Sequence, residues 1–398
     1  MSFRISTAGL NQAAVNQMLA RQRDLSFTQA QVASGKRLLT PADDPVAATR
    51  IGALERQRGQ LAQYERNAEA ATSRLQASEQ AFADATDVLR RVRDLTVQAR
   101  SGVMDAGARN ALVAELRQRV QGLVDIANRR DAGGEHLFSG LSTQTQPFTR
   151  LPAGVAYAGD QGTRALQLSA DQRVVDGFAG YQVFMNVPEG NGSFVTGTGV
   201  HAGDSRIDTG QLVDAAAWIP DDYTLRFTAA DAWEVQDGAG AVVATGAYAS
   251  GAAVAFRGVT VTVSGTPAVG DTYTIVAAGT QDIFATVDAL VAALGSDAST
   301  PAGRSALDSR LAALVVQLDQ GLDHLVDLRA EAGARLQIIE STVSAQQALD
   351  DELVGSLGAL RDLDYAEAIG RMNQQLVGLQ AAQEAYGRIA QLSLFDHL

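Results

Sequence analysis

Two places along this 398-residue chain come closest to chemistry by residue type and spacing: Asp43-Asp44 and Glu135-His136. Adjacent carboxylates can share a divalent metal or divide acid and base roles between them. Here neither a histidine nor a third carboxylate stands nearby. Asp44 instead precedes Pro45, and that order marks a helix start. An aspartate caps the free amides, and proline at the first helical position has no donor to waste. Asp43, Asp44 and Pro45 are therefore read as a helix-cap motif. Glu135-His136 follows the glycine pair Gly133-Gly134 and reads as a loop contact rather than a catalytic pair. The four histidines, His136, His201, His324 and His397, never fall at the i, i+4 spacing of metal ligands. Gly197-Thr198-Gly199 and Gly238-Ala239-Gly240 read as turns. No phosphate-binding loop, nucleophile elbow or dinucleotide fingerprint occurs. No catalytic, cofactor-binding or metal residue is assigned, no small-molecule substrate is expected, and the chain does not read as an enzyme.

Composition narrows the classes further. There is no cysteine, which removes disulfides, thiolate metal sites and thiol nucleophiles. The formal charge of −13 opposes a nucleic-acid or anionic-membrane surface. No apolar run reaches the roughly 18 residues of a membrane span. The opening residues, Met1 to Ser6, show no basic stretch followed by an apolar one, so export by a cleaved signal peptide is not expected. Aromatics make up only 6% of the chain, which favours thin helical bundles over one thick core.

The elements that would position these residues fall into three blocks. Ala8 to Ala33 can form a glutamine- and asparagine-rich helix that Ser34-Gly35-Lys36 ends. From Leu54 to Ala99 the residues Leu61, Ala68, Ala71, Leu75, Phe82, Ala85, Leu89 and Val92 keep an alternating three–four spacing, the seam of a coiled coil. That helix would run for roughly 70 Å at about 1.5 Å per residue. A second helix, Ala108 to Arg130, carries Leu112, Leu116, Val120, Leu123 and Ile126 on one face. The short link between them predicts antiparallel neighbours. Past Leu141 the helical period vanishes. Strands are predicted at 223–227, 232–235, 259–263 and 273–275, each alternating apolar and polar residues between glycine-rich turns. Helix resumes near Asp282, pauses in a Ser/Thr/Pro/Gly patch through Gly303, and continues through Leu307, Leu318, Leu328 and Ile339. A last seam follows Asp364.

These blocks predict an α+β multidomain fold. Both chain ends form a long helical coiled-coil or bundle stalk, and a small antiparallel β domain is inserted in the middle. The expected boundaries are terminal helices at 1–40 and 362–398, a helical stalk at 41–144 and 282–361, and a β-rich insert at 145–281. Both extreme ends are apolar and helical, and a lone chain offers them little to bury against. They are candidates for packing between molecules. The assembly-interface residues on this reading are Ile5, Leu10, Met18, Phe27, Tyr365, Ile369, Met372, Leu376, Leu379, Tyr386, Ile389, Leu392, Leu394 and Phe395.

The chain also resembles the flagellin-like family, and within it the hook–filament junction proteins. Arg4-Ile5-Ser6-Thr7, Ser34-Gly35-Lys36-Arg37 and Asp43-Asp44-Pro45-Val46-Ala47-Ala48 are similar to that family's N-terminal side, and Asp-Asp-Pro looks like the junction proteins in particular. Gly134-Glu135-His136-Leu137-Phe138-Ser139-Gly140 with Pro147-Phe148 resembles their Phe-Ser/Ala-Gly segment. Gly265-Thr266-Pro267 with Gly270-Asp271-Thr272-Tyr273 resembles their outer β domain. Asp364-Tyr365-Ala366-Glu367-Ala368, Asn373-Gln374-Gln375 and Leu392-Ser393-Leu394-Phe395 are similar to their terminal helix. The likeness covers roughly the first 150 and last 115 residues. It implies a structural subunit of the bacterial flagellum, exported through the flagellar type III channel and extracellular at the hook–filament junction. It implies a ring of copies placed between hook-associated protein 1 and the first flagellin, and a cytoplasmic export chaperone as a further partner. It also implies terminal helices that are often disordered in the free monomer. Three other readings stand beside it: a flagellin filament subunit, a ligand-binding or enzymatic module on the β insert, and a coiled-coil secretion effector or translocator.

Overall fold

The computed structural model describes residues 7–100, 104–152, 154–296 and 301–395. Among the described residues, six α-helices and fifteen short strands follow one another as helices, strands, helices. The helices are α1 (Thr7–Ser34), α2 (Pro45–Arg100), α3 (Ala106–Ala127), α4 (Ile283–Leu294), α5 (Pro301–Arg361) and α6 (Tyr365–Phe395). The α+β architecture with helical ends and an antiparallel β region in the middle is the one the sequence pattern predicts. Two compact units make up the chain. One draws on residues up to Glu65 and from Thr342 onward, and the other spans Arg66–Ser341.

The larger unit is organised around α2. Its seam from Ala68 to Thr96 is buried at Ala71, Leu75, Ser78, Phe82, Ala85, Leu89 and Val92. Helix α3 runs antiparallel beside it, with Arg91–Glu115 at 2.9 Å and Arg129–Asp84 at 2.6 Å on the seam's flank. Helix α5 also runs antiparallel to α2: Arg329 pairs with Glu79 at 2.7 Å and Arg93 with Asp319 at 2.6 Å. Each such pair is half-exposed and stabilises little, but paired charges disfavour a slipped register. The Ser/Thr/Pro/Gly patch was expected to last through Gly303. Helix α5 instead begins at Pro301, because proline suits a first helical turn.

An aromatic cluster joins the helices to the β region. Phe138, Phe148 and Phe284 each lie 5.4–5.7 Å from Phe184, ring centre to ring centre, and Phe82 reaches Phe138 at 5.7 Å. Phe184 sits in a π-helical turn, Tyr181–Met185, that the periodicity does not announce. All five of these phenylalanines are fully buried. Two hairpins accompany the cluster, β1 (Phe148–Leu151) with β2 (Gly154–Tyr157), and β3 (Ala165–Gln167) with β4 (Arg173–Val175). These four strands are too short for their alternation to be read.

Beyond them the chain passes through β5 (Val187–Pro188), which pairs with the returning β15 (Thr280–Gln281). Between these two lies a β lobe. One antiparallel sheet has the order β11 (Val242–Ala247), β10 (Ala232–Gln236), β9 (Asp222–Ala229), β14 (Thr272–Ala277), β6 (Phe194–Thr198). A second is built on β13 (Val259–Ser264), flanked by β12 (Ala253–Phe256), β7 (Arg206–Ile207) and β8 (Gln211–Leu212). Tyr223, Leu225 and Phe227 point inward from β9 while Thr224 and Arg226 do not, the period of two read in the sequence. They meet Val254, Val259, Val261 and Val263 from the second sheet. Gly246 opposes Trp233 across the β10–β11 pair, and a Cβ there would stand 2.4 Å from the indole ring. Replacing Phe184 with alanine empties the middle of the aromatic cluster. The expected loss is about 3–5 kcal/mol in denaturant unfolding of the larger unit.

Candidate assembly interface

In the smaller unit α1 and α6 lie against each other, and Leu25, Thr28 and Gln31 of α1 are buried, as is Ala368 of α6. The sequence explains why this contact can be close. Gly378 takes the place where a Cβ would meet the Arg21 guanidinium at 2.6 Å. A clasp ties the two ends just beyond α1. The Arg37 amide donates to the Arg361 carbonyl at 2.7 Å, and the Leu363 amide donates to the Gly35 carbonyl at 3.0 Å. The Arg37 guanidinium donates twice to the Leu360 carbonyl, at 3.1 and 2.9 Å. Gly35 holds φ at +69°, so the chain leaves α1 through a left-handed residue, and the Tyr365 hydroxyl occupies the space where a side chain would begin. Elsewhere in this unit, Arg58 forms a two-point pair with Asp350 at 2.7 and 3.0 Å.

The acidic motif organises the chain beside the clasp. Asp43 accepts the Leu39 and Thr40 amides at 2.9 and 2.7 Å and the Thr40 hydroxyl at 3.0 Å. The Thr40 amide, with its hydroxyl and the Leu39 amide behind it, holds the Asp43 carboxyl below the usual range. Asp44 accepts the Ala47 amide at 3.0 Å, which caps α2 ahead of Pro45. Asp364 does the same for α6 through the Ala366 and Glu367 amides, at 2.9 and 3.2 Å.

The apolar residues assigned to assembly are distributed unevenly. Ile5 lies outside the described residues, and the side chains of Leu10, Ile389, Leu392, Leu394 and Phe395 also fall outside them. Met18, Met372, Leu379 and Tyr386 are half-buried. Phe27 is 39% exposed, Tyr365 51%, Ile369 43% and Leu376 41%. Sequence reasoning missed Val377, which is 62% exposed, and Leu19, Val46 and Val354, which are also open. The three–four spacing selects residues aimed at a partner helix and passes over their neighbours just outside the seam. Tyr365, Ile369, Met372, Leu376 and Leu379 thus form a stripe along α6 that pairing with α1 leaves partly open. Such a stripe is an apolar surface with hydrogen-bonded ends, suited to further helix packing and without reactive groups.

The other titratable cluster lies in the larger unit. Arg74, nearly fully buried, reaches Asp131 at 2.7 Å, Glu135 at 3.4 Å and the His136 carbonyl at 2.9 Å. It was missed because it sits one residue before a seam leucine and carries no motif. Glu135 also meets Arg164 at 3.7 Å, and Arg164 reaches buried Asp176 through its Nε at 2.9 Å. The His136 Nδ1 is 2.9 Å from the Asn128 carbonyl, so the proton sits there and Nδ1–H donates. Its Nε2 is buried with no hydrogen-bond partner. Burial pushes the His136 pKa below the ordinary value. This cluster fixes the loop after α3 onto α2. Among the described residues no three His, Cys, Asp or Glu side chains gather closely enough to hold a metal, and no helix is long and apolar enough to cross a membrane.

Residues 5–143 match the bacterial flagellin N-terminal helical region. The flagellar hook-associated protein 3 of Salmonella typhimurium is 27% identical over 196 residues, 48% of this chain and 61% of that relative. The crystal structure of Xanthomonas campestris FlgL is 33% identical, covers 77% of this chain and 99% of its own, and superposes with a TM-score of 0.71. The flagellar hook associated protein-3 of Legionella pneumophila is 27% identical, covers 78% and 98%, and has a TM-score of 0.75.

Gly35→Ala combines a strained φ with a clash against Tyr365 and is expected to cost more than about 1 kcal/mol. It should speed exchange of the Leu363 amide, and adding Tyr365→Phe should recover part of the loss. For His136 the unfolded chain takes up a proton first as the pH falls. Its contribution is therefore full above 6.5, the ordinary histidine value, and is lost on acidification toward the depressed folded pKa. Unfolding measured across pH 4–8 should show that slope, and His136→Asn should flatten it.

Proposed function

The chain belongs to the flagellar hook-associated protein 3 (FlgL) family, and from that premise we propose that it is a subunit of the hook–filament junction. As a member it is a structural protein of the flagellum. In this role, copies assemble side by side as a ring, with hook-associated protein 1 on the hook side and flagellin on the other. The terminal helices, residues 1–40 and 362–398, carry the contacts, and residues 145–281 face outward. The half-exposed stripe on α6 is the observation that supports this reading most directly. Burying it offers the roughly 25 cal/mol per Å² of apolar burial only when another helix covers it. Assembly then depends on the growing tip, and the free subunit stays apart. Secretion through a narrow channel suits a chain with no cysteine and salt-bridged rungs in place of one thick core. An export chaperone would meet the chain before secretion.

The test is deletion and complementation. Cells lacking the gene should carry hooks without filaments and shed flagellin into the medium, and the unaltered gene should restore swimming. The double variant Ile369→Glu, Leu376→Glu should be exported with the larger unit folded yet fail to restore filaments. Normal filaments on the deletion strain would overturn the proposal.

A further inference from the structure

The β lobe carries its own core and meets the helices over little area. Its apolar centre, from Phe194 to Ile275, closes on residues of the lobe itself. The chain enters and leaves through β5 and β15, a pair only two residues long on each side. At its base the lobe touches α5 where Gly192 lies beside Gln320, and elsewhere it stands apart from that helix. A groove of about 530 Å³ separates Ile207, Thr262 and Ser264 on the lobe from Ser309, Ala312 and Val315 on α5. A water occupies roughly 30 Å³ of liquid, so the seam has room for many.

An ion pair spans this groove. Asp308 of α5 accepts the Arg100 Nε through Oδ1 at 3.0 Å, which fixes its carboxylate against the end of α2. Its second oxygen, Oδ2, accepts NH1 of Arg206, on β7, at 3.5 Å. Arg206 is 61% exposed. We propose that Arg206–Asp308 is an electrostatic latch that sets the angle of the β lobe on the helical body, with the β5–β15 pair as its pivot. An exposed pair biases such an equilibrium only a few-fold. The lobe is therefore held at one preferred angle yet released at small cost. The latch is also screened by salt, since the Debye length shrinks to about 3 Å at 1 M. This inference concerns the isolated chain and does not rest on the junction reading.

The absence of cysteine makes the test direct. Spin labels on Asp87→Cys of α2 and Val242→Cys of the lobe, in the otherwise unaltered full chain, report the lobe angle by pulsed dipolar spectroscopy. With the latch intact at low salt, the distance distribution should be narrow. Arg206→Gln is a surface change that leaves Arg100–Asp308 in place. It should broaden the distribution about twofold, and 1 M NaCl should broaden the unaltered chain to the same width while leaving Arg206→Gln unmoved. Equal widths for Arg206→Gln and the unaltered chain at low salt would overturn the latch. So would salt broadening that persists undiminished in Arg206→Gln.

Discussion

Two helices can bury only the sides they turn toward each other. That limit governs the smaller unit. Helices α1 and α6 cover Leu25, Thr28 and Ala368 between them, while Tyr365, Ile369 and Leu376 stay open. The clasp through Gly35, Arg37, Leu360 and Leu363 fixes the ends by backbone hydrogen bonds, which are directional and do not need a core. The result is a pair that is held in place but not sealed.

The larger unit solves the opposite problem. It closes on itself, and it draws on three separate devices. Helix α2 presents one long seam, and α3 and α5 run against it with flanking ion pairs that penalise a shifted register. The phenylalanine cluster around Phe184 closes the point where helices give way to strands, drawing on α2, the loop after α3, the π-helical turn and α4. Buried Arg74 holds that loop by satisfying carboxylates and carbonyls together. A guanidinium so deeply placed is tolerable only because nearly all its donors are used. The β lobe then adds a sandwich with its own core, joined through the two-residue β5–β15 pair.

How far this was readable depends on the length over which a pattern repeats. The α2 seam runs through many turns, so its phase survived Ser78 and Thr96 at apolar positions, and both proved buried. Strands β9, β10, β13 and β14 have five to eight residues each and showed their alternation. Strands β1 to β4 have three or four and did not. The start of α5 was displaced because Pro301 and Gly303 look like a loop when taken alone, whereas proline is welcome in a first helical turn. Val377 and Leu19 escaped notice for a geometric reason. They lie beside the seam, where an apolar residue contributes nothing to the period.

The sequence by itself determined which of the longer segments are helix and which strand, that both terminal blocks are helical, and, with no cysteine, that thiol chemistry is excluded. Periodicity, capping residues and composition are local properties, and local patterns suffice for them. Tertiary structure alone decided what Glu135, His136, Arg74 and Asp308 do. The His136 ring finds Asn128 only eight residues away, but Arg74 and Glu135 lie 61 positions apart and Arg100 and Asp308 208, brought to 3.4 and 3.0 Å by packing that no local pattern encodes. It also decided how much of the α6 stripe stays open, because exposure depends on how many neighbours reach a side chain, and the spacing of one helix cannot count them.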